Sequence, residues 1–133
     1  MLTKAVACNT MNLDNCIASN RKGGVFLINK TQIMKGILEG CVLAVLSREK
    51  LYSQEIPKKL LEFKMSDVSD GTLFPLLLRL EKNGFISAYM MESPLGPKRK
   101  YYTITKAGKE HLASFEECWY ATSDAVNAIL SAE

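Results

Sequence analysis

A chain of 133 residues, 47% of them hydrophobic, suits a single domain around one core and is too apolar for an unfolded polar segment. No apolar run approaches the roughly 18–20 residues of a membrane span. One histidine and four cysteines (Cys8, Cys16, Cys41, Cys118), none of them in a C-x-x-C pair, speak against a zinc site. The net charge of +3 is too mild to name a partner, but its placement is informative: five basic residues and no acidic one lie between Lys98 and Lys109.

Residues 1–30 show neither helical nor alternating periodicity and read as a mobile N-terminal extension. No continuous apolar stretch follows Lys4, as a secretory leader would require. Ile33, Ile37, Leu38, Cys41, Val42, Val45 and Leu46 then recur at helical spacing. They predict a helix over 31–47, capped by Thr31 and apolar nearly all round at its end, so that several neighbours or a second subunit must cover it. A second helix is expected over 53–61, with Ser53 as its cap and Pro57 near the first turn, where a missing N–H costs little. The third begins at Ser69 or Asp70 and carries Leu73, Leu76, Leu77 and Leu80 on its apolar face. Gly84 stops it in the left-handed position.

Two strands are expected over 86–91 and 100–104, joined by the turn Pro94-Leu95-Gly96-Pro97. Thr105 caps a last helix whose stripe is Leu112, Phe115, Trp119, Thr122, Val126, Ile129 and Leu130. At 1.5 Å per residue this helix would be roughly 35–40 Å long, too long a face for so small a body to cover. The stripe is therefore expected to pack on its counterpart in a second chain. His111 falls on the polar side and is expected to be solvated. Cys41 and Cys118 are expected to be small core residues in a reducing compartment.

A helix sized for a major groove followed at once by a basic two-stranded ribbon is the pattern of a winged helix-turn-helix. The fold class expected is mainly α with a small β-hairpin. The organisation expected is an extension over 1–30, a winged helix-turn-helix over 31–104 and a C-terminal dimerisation helix over 105–133. Side chains near the start of the groove helix would read base edges: Ser69, Asp70, Thr72 and Phe74. For Ser69 and Asp70, plain helix capping explains the residues equally well. Arg79 is a candidate for backbone contact. Lys98, Arg99 and Lys100 form the wing, suited to phosphate or minor-groove contact, with strand alternation placing Arg99 on the face opposite the two lysines. Lys35 would add a flanking phosphate contact.

Four separated strings, Met34-Lys35-Gly36-Ile37-Leu38-Glu39, Leu51-Tyr52-Ser53-Gln54-Glu55-Ile56, Asp70-Gly71-Thr72-Leu73-Phe74-Pro75-Leu76-Leu77-Leu78-Arg79-Leu80-Glu81 and Gly96-Pro97-Lys98-Arg99-Lys100-Tyr101-Tyr102, resemble the PadR family of bacterial transcriptional regulators. The resemblance covers about residues 32–131, and the single C-terminal helix is similar to that of the smaller subgroup. It implies a homodimer held by the first and last helices, repression of a nearby promoter on double-stranded DNA and, in some members, a flat aromatic or drug-like effector at the dimer interface. Trp119 and Phe115 are the residues placed to hold such an effector. The chain departs from the family pattern at Phe74, where a tyrosine is usual, and at Ser53, where a glycine is usual.

An enzyme is not expected. No Ser-His-Asp or Cys-His set can be assembled around one histidine, and there is no glycine-rich phosphate loop. Neither cofactor, metal nor membrane enters the reading, which places the protein in the cytoplasm. The competing reading is a winged-helix protein-interaction module that does not bind DNA.

Overall fold

Helix α1 (Lys30–Arg48) is the axis of the core. Met34, Leu38, Val42, Leu43, Val45 and Leu46 on it are buried, and from Leu38 to Leu46 no residue is fully exposed. The computed structural model describes residues 30–65 and 68–132, so the expected N-terminal extension lies outside the described residues except for Lys30. After α1 the chain forms β1 (Leu51–Tyr52), α2 (Glu55–Glu62), α3 (Asp70–Lys82), β2 (Ile86–Ser93), β3 (Gly96–Ile104) and α4 (Lys106–Ser131). This is the mainly helical winged helix-turn-helix that the pattern of apolar residues and turns predicts.

Helix α3 ends as its sequence foretells. Gly84 adopts φ +79°, the Phe85 N–H reaches the Leu80 carbonyl at 3.0 Å and the Gly84 N–H reaches that of Glu81 at 3.0 Å, which together make a Schellman motif. The same motif closes α2, where Lys64 takes the left-handed place at φ 64° without a glycine to announce it. Helix α2 starts differently from expectation. Ser53 does not cap it: Gln54 stands at the N-cap in helical geometry with no side-chain hydrogen bond. The chain must turn directly out of β1, and the Glu55 carboxylate accepts the Tyr52 N–H at 3.1 Å, which also places an acid at the positive end of the helix dipole.

The sheet has the order β1-β3-β2, both pairs antiparallel, so it is one strand larger than the expected hairpin. Its register pairs Ile86 with Ile104 and Met91 with Arg99, then shifts between Met91 and Ser93. Gly96 and Pro97 already belong to β3, leaving a loop of Pro94 and Leu95. Lys98 and Arg99 therefore sit on a strand, not in a turn. Alternation gives the sheet two faces. Ile86 and Tyr102 are buried on one, and Tyr52, Tyr89 and Tyr101 line the other, with Tyr52 edge-on to Tyr101 at 5.5 Å and Tyr89 stacked on it at 6.1 Å.

Thr105 ties α4 to the end of α3. Its hydroxyl accepts the Gly108 N–H at 3.0 Å and donates to the Gly84 carbonyl at 2.6 Å. Gly108 is buried so close to the Phe85 carbonyl oxygen that a Cβ there would collide with it. Since that obstacle is backbone, Gly108→Ala is expected to cost about 2 kcal/mol, a fall of roughly 10 °C in the thermal midpoint by calorimetry.

Two side chains depart from expectation on α4. His111 is not simply solvated: it stacks on Phe85 with ring centres 4.2 Å apart, and its Nε2 lies 3.5 Å from Glu39 Oε1. Tertiary packing of α4 against the α3–β2 turn brings these groups together. Cys118 is exposed, its Sγ 3.9 Å from Thr122 Oγ1, because the body ends before α4 does. Cys41 is partly buried among core residues, and burial pushes its thiol pKa up, which disfavours the reactive thiolate. No helix among the described residues is long and apolar enough to cross a membrane.

Candidate nucleic-acid interface

Helix α3 presents two opposed faces. At 3.6 residues per turn Leu73, Leu76, Leu77 and Leu80 fall on one side, and all four are buried. Gly71, Phe74, Pro75, Leu78 and Lys82 fall on the other and are exposed. Pro75 removes one helical hydrogen bond, but it does so on the solvent side, where water can take the orphaned carbonyl of Gly71.

Ser69 stands at the N-cap in extended geometry, φ −82° and ψ 156°. Its hydroxyl does not cap the helix but pairs with the Thr72 hydroxyl at 3.1 Å. Asp70 is exposed in the first turn, where the helix dipole favours an acid. Arg79 lies on a flank and reaches back to α1, with its Nη2 3.8 Å from Glu39 Oε2. Glu39 thus faces both Arg79 and His111, joining α1, α3 and α4.

The three wing cations part company. Lys98 is exposed and has no ion-pair partner among the described residues. Arg99 lies on the tyrosine face with its guanidinium carbon 4.6 Å from the centre of the Tyr52 ring, a cation–π contact that limits its freedom. Lys100 turns inward: its Nζ is 3.3 Å from Glu81 Oε1 on α3 and 5.4 Å from the Tyr102 ring centre. Partial burial opposes its charge, but the Glu81 hydrogen bond and the electrostatic pull of Tyr102 and Glu81 outweigh this and hold its pKa above the ordinary lysine value. Lys100 therefore braces the wing against α3, whereas Lys98 projects. Lys98→Ala is expected to lower the salt dependence of DNA binding by about one unit of slope per protomer. Lys100→Ala should change it less and lower the thermal midpoint instead. Titrating both variants at several salt concentrations checks this.

An open cleft of about 350 Å³ separates the wing from the turn before α2, lined by Tyr52, Ser53 and Gln54 on one side and by Lys98, Arg99 and Lys100 on the other. Sequence reasoning missed the first three as neighbours of the wing, because a strand of two residues carries no periodicity. It also passed over Pro75 and Leu78, which the spacing of the buried leucines would have placed outward. Lys35 is exposed on α1. Phe115 is half-buried, its ring filling the space that a side chain at Gly40 would need, so it is seated within the protomer. Trp119, one turn further on, is 41% exposed.

Known proteins resemble this chain in sequence and in fold. The sequence profile of the transcriptional regulator PadR-like family matches residues 42–114, from the middle of α1 into α4. The chain belongs to the PadR-like family. A PadR-like transcriptional regulator from Bacillus cereus is 44% identical, its structure aligning over 77% of this chain and 99% of its own with a TM-score of 0.70. A Streptococcus transcriptional regulator is 40% identical over 75% of this chain and 98% of its own, with a TM-score of 0.67. A PadR family transcriptional regulator from Eggerthella lenta, 27% identical, covers 90% of this chain and 96% of its own, with a TM-score of 0.71. As a PadR-like protein the chain is a DNA-binding transcriptional regulator and not an enzyme.

Proposed function

We propose that the protein is a homodimeric, sequence-specific repressor in which α3 enters the major groove and the wing grips the flanking backbone. The observation that carries this reading is the unfinished surface of α4. Leu112 is buried, but Val126, Ile129 and Leu130, which continue its stripe, are exposed. A second copy packing stripe to stripe would cover them and set two α3 helices at a fixed distance, as a palindromic operator requires. On the DNA side, Ser69, Asp70, Thr72 and Phe74 face the base edges. Lys98 and Arg99 meet phosphates, with Arg79, Lys100 and Lys35 at the margins. A flat aromatic or drug-like effector would lodge at the seam against Trp119, with Phe115 as the floor behind it. By favouring one spacing of the subunits it would shift the population away from the DNA-bound form.

The test is binding of the purified protein to the DNA upstream of its own gene and to a shuffled duplex, at two salt concentrations. Tight binding to the native fragment alone, with two protomers per site, is the expected result. Equal and steeply salt-dependent binding to both duplexes would mean phosphate contact without sequence readout and would sink the repressor reading.

A further inference from the structure

We propose that the outward face of α3 reads thymine 5-methyl groups, with Phe74 and Leu78 as its specificity-determining residues. The inference deepens the reading above, since it rests on α3 being the groove helix. A major-groove helix ordinarily discriminates bases with forked polar side chains, arginine on guanine or asparagine and glutamine on adenine. Helix α3 contains neither asparagine nor glutamine. Its one arginine, Arg79, is turned back to Glu39, and the Thr72 hydroxyl is engaged by Ser69. Between Asp70 and Lys82 at its two ends, the middle of the outward face is apolar: Phe74 is 42% and Leu78 60% exposed, with Pro75 between them.

The one feature of a base-pair edge that an apolar side chain recognises in the major groove is the methyl group of thymine. Phe74 and Leu78 are one turn apart, about 6 Å along the helix axis, which matches about two base-pair steps of 3.4 Å. An apolar patch could instead seat a protein, but its surroundings favour a polyanion. Lys82 ends the same face, and Lys98 and Arg99 stand on the adjoining wing.

The test begins by selecting sites from a random-sequence duplex library with the full-length protein. The selected duplex is then remade with uracil in place of thymine, one position at a time, which removes a methyl group and nothing else. Affinity is expected to fall about fourfold at one or two positions in each half-site, the worth of burying one methyl-sized group. Leu78→Ala, at an exposed position and checked for folding by circular dichroism, should bind the thymine and uracil duplexes alike at one such position, and Phe74→Ala at another. Selected sites that bind equally with uracil throughout would overturn the inference while leaving the DNA-binding reading intact. A library that yields no enriched sequence would remove both. A self-association that Leu78→Ala abolishes without affecting DNA affinity would mark the face as a protein interface and overturn the inference as well.

Discussion

Reversing the charge at the wing, Lys98→Glu with Arg99→Glu, is expected to weaken DNA binding by at least about a hundredfold near physiological salt. Both side chains are exposed on β3 beyond the part of the sheet that packs on the core, so the protomer loses only the Arg99 contact with the Tyr52 ring and the fold should persist. In a dimer the change removes four cationic contacts and adds four like charges facing phosphate. Neutral replacement, Lys98→Ala with Arg99→Ala, separates the two effects: the slope of log affinity against log salt should fall by roughly three to four units per dimer, with a smaller loss of affinity. Fluorescence anisotropy on one duplex at several salt concentrations gives both numbers. An unchanged slope would mean that the wing does not touch the backbone.

The second large effect is expected from the far end of α4. Ile129 and Leu130 are 71% and 78% exposed in the single chain, so Ile129→Asp with Leu130→Asp removes nothing from the protomer core. If the stripe is the dimer seam, the variant should sediment as a monomer at concentrations where the natural protein is a dimer. Operator affinity should then fall by roughly 10²–10⁴-fold, because the second half-site no longer binds at the high effective concentration that linkage provides. A variant that remains dimeric would place the interface elsewhere.

The fold was largely legible because its signals are local. Among the described residues, the helix ends marked by Ser53, Ser69, Gly84 and Thr105 fall within about two residues of those positions, and the leucines of α3 declare its buried face. Where the reading failed, a tertiary partner decided. Strand β1 is two residues long and exists only because β3 pairs with it. Ser53 is not the cap because the helix begins one residue later, with Gln54 at the N-cap. His111 is drawn to Phe85 and Glu39, three elements that meet only in the folded chain. Cys118 looks like a core residue by spacing, yet the body stops short of it.

The candidate interface was legible as charge and not as geometry. Three consecutive cations at 98–100 read as one basic tip, but the structure gives them three surroundings: open solvent for Lys98, the Tyr52 ring for Arg99 and Glu81 for Lys100. Tyr52 is almost fifty residues away in sequence, and no spacing rule links it to the wing. The outward face of α3 was in principle readable from helical periodicity. Phe74 was read from its place near the helix start, but Leu78 was not, because it looks like one more leucine of the core until its phase relative to Leu77 and Leu80 is worked out.

Operator recognition as proposed requires two groove helices held at a fixed spacing by α4. Chemical footprinting of the dimer on its selected duplex measures this directly. Two half-sites protected in the major groove, about one helical turn (roughly 34–36 Å) apart and flanked by backbone protection from the wings, are the predicted result. A single protected half-site per bound dimer, or backbone protection with the major groove left open, would contradict it.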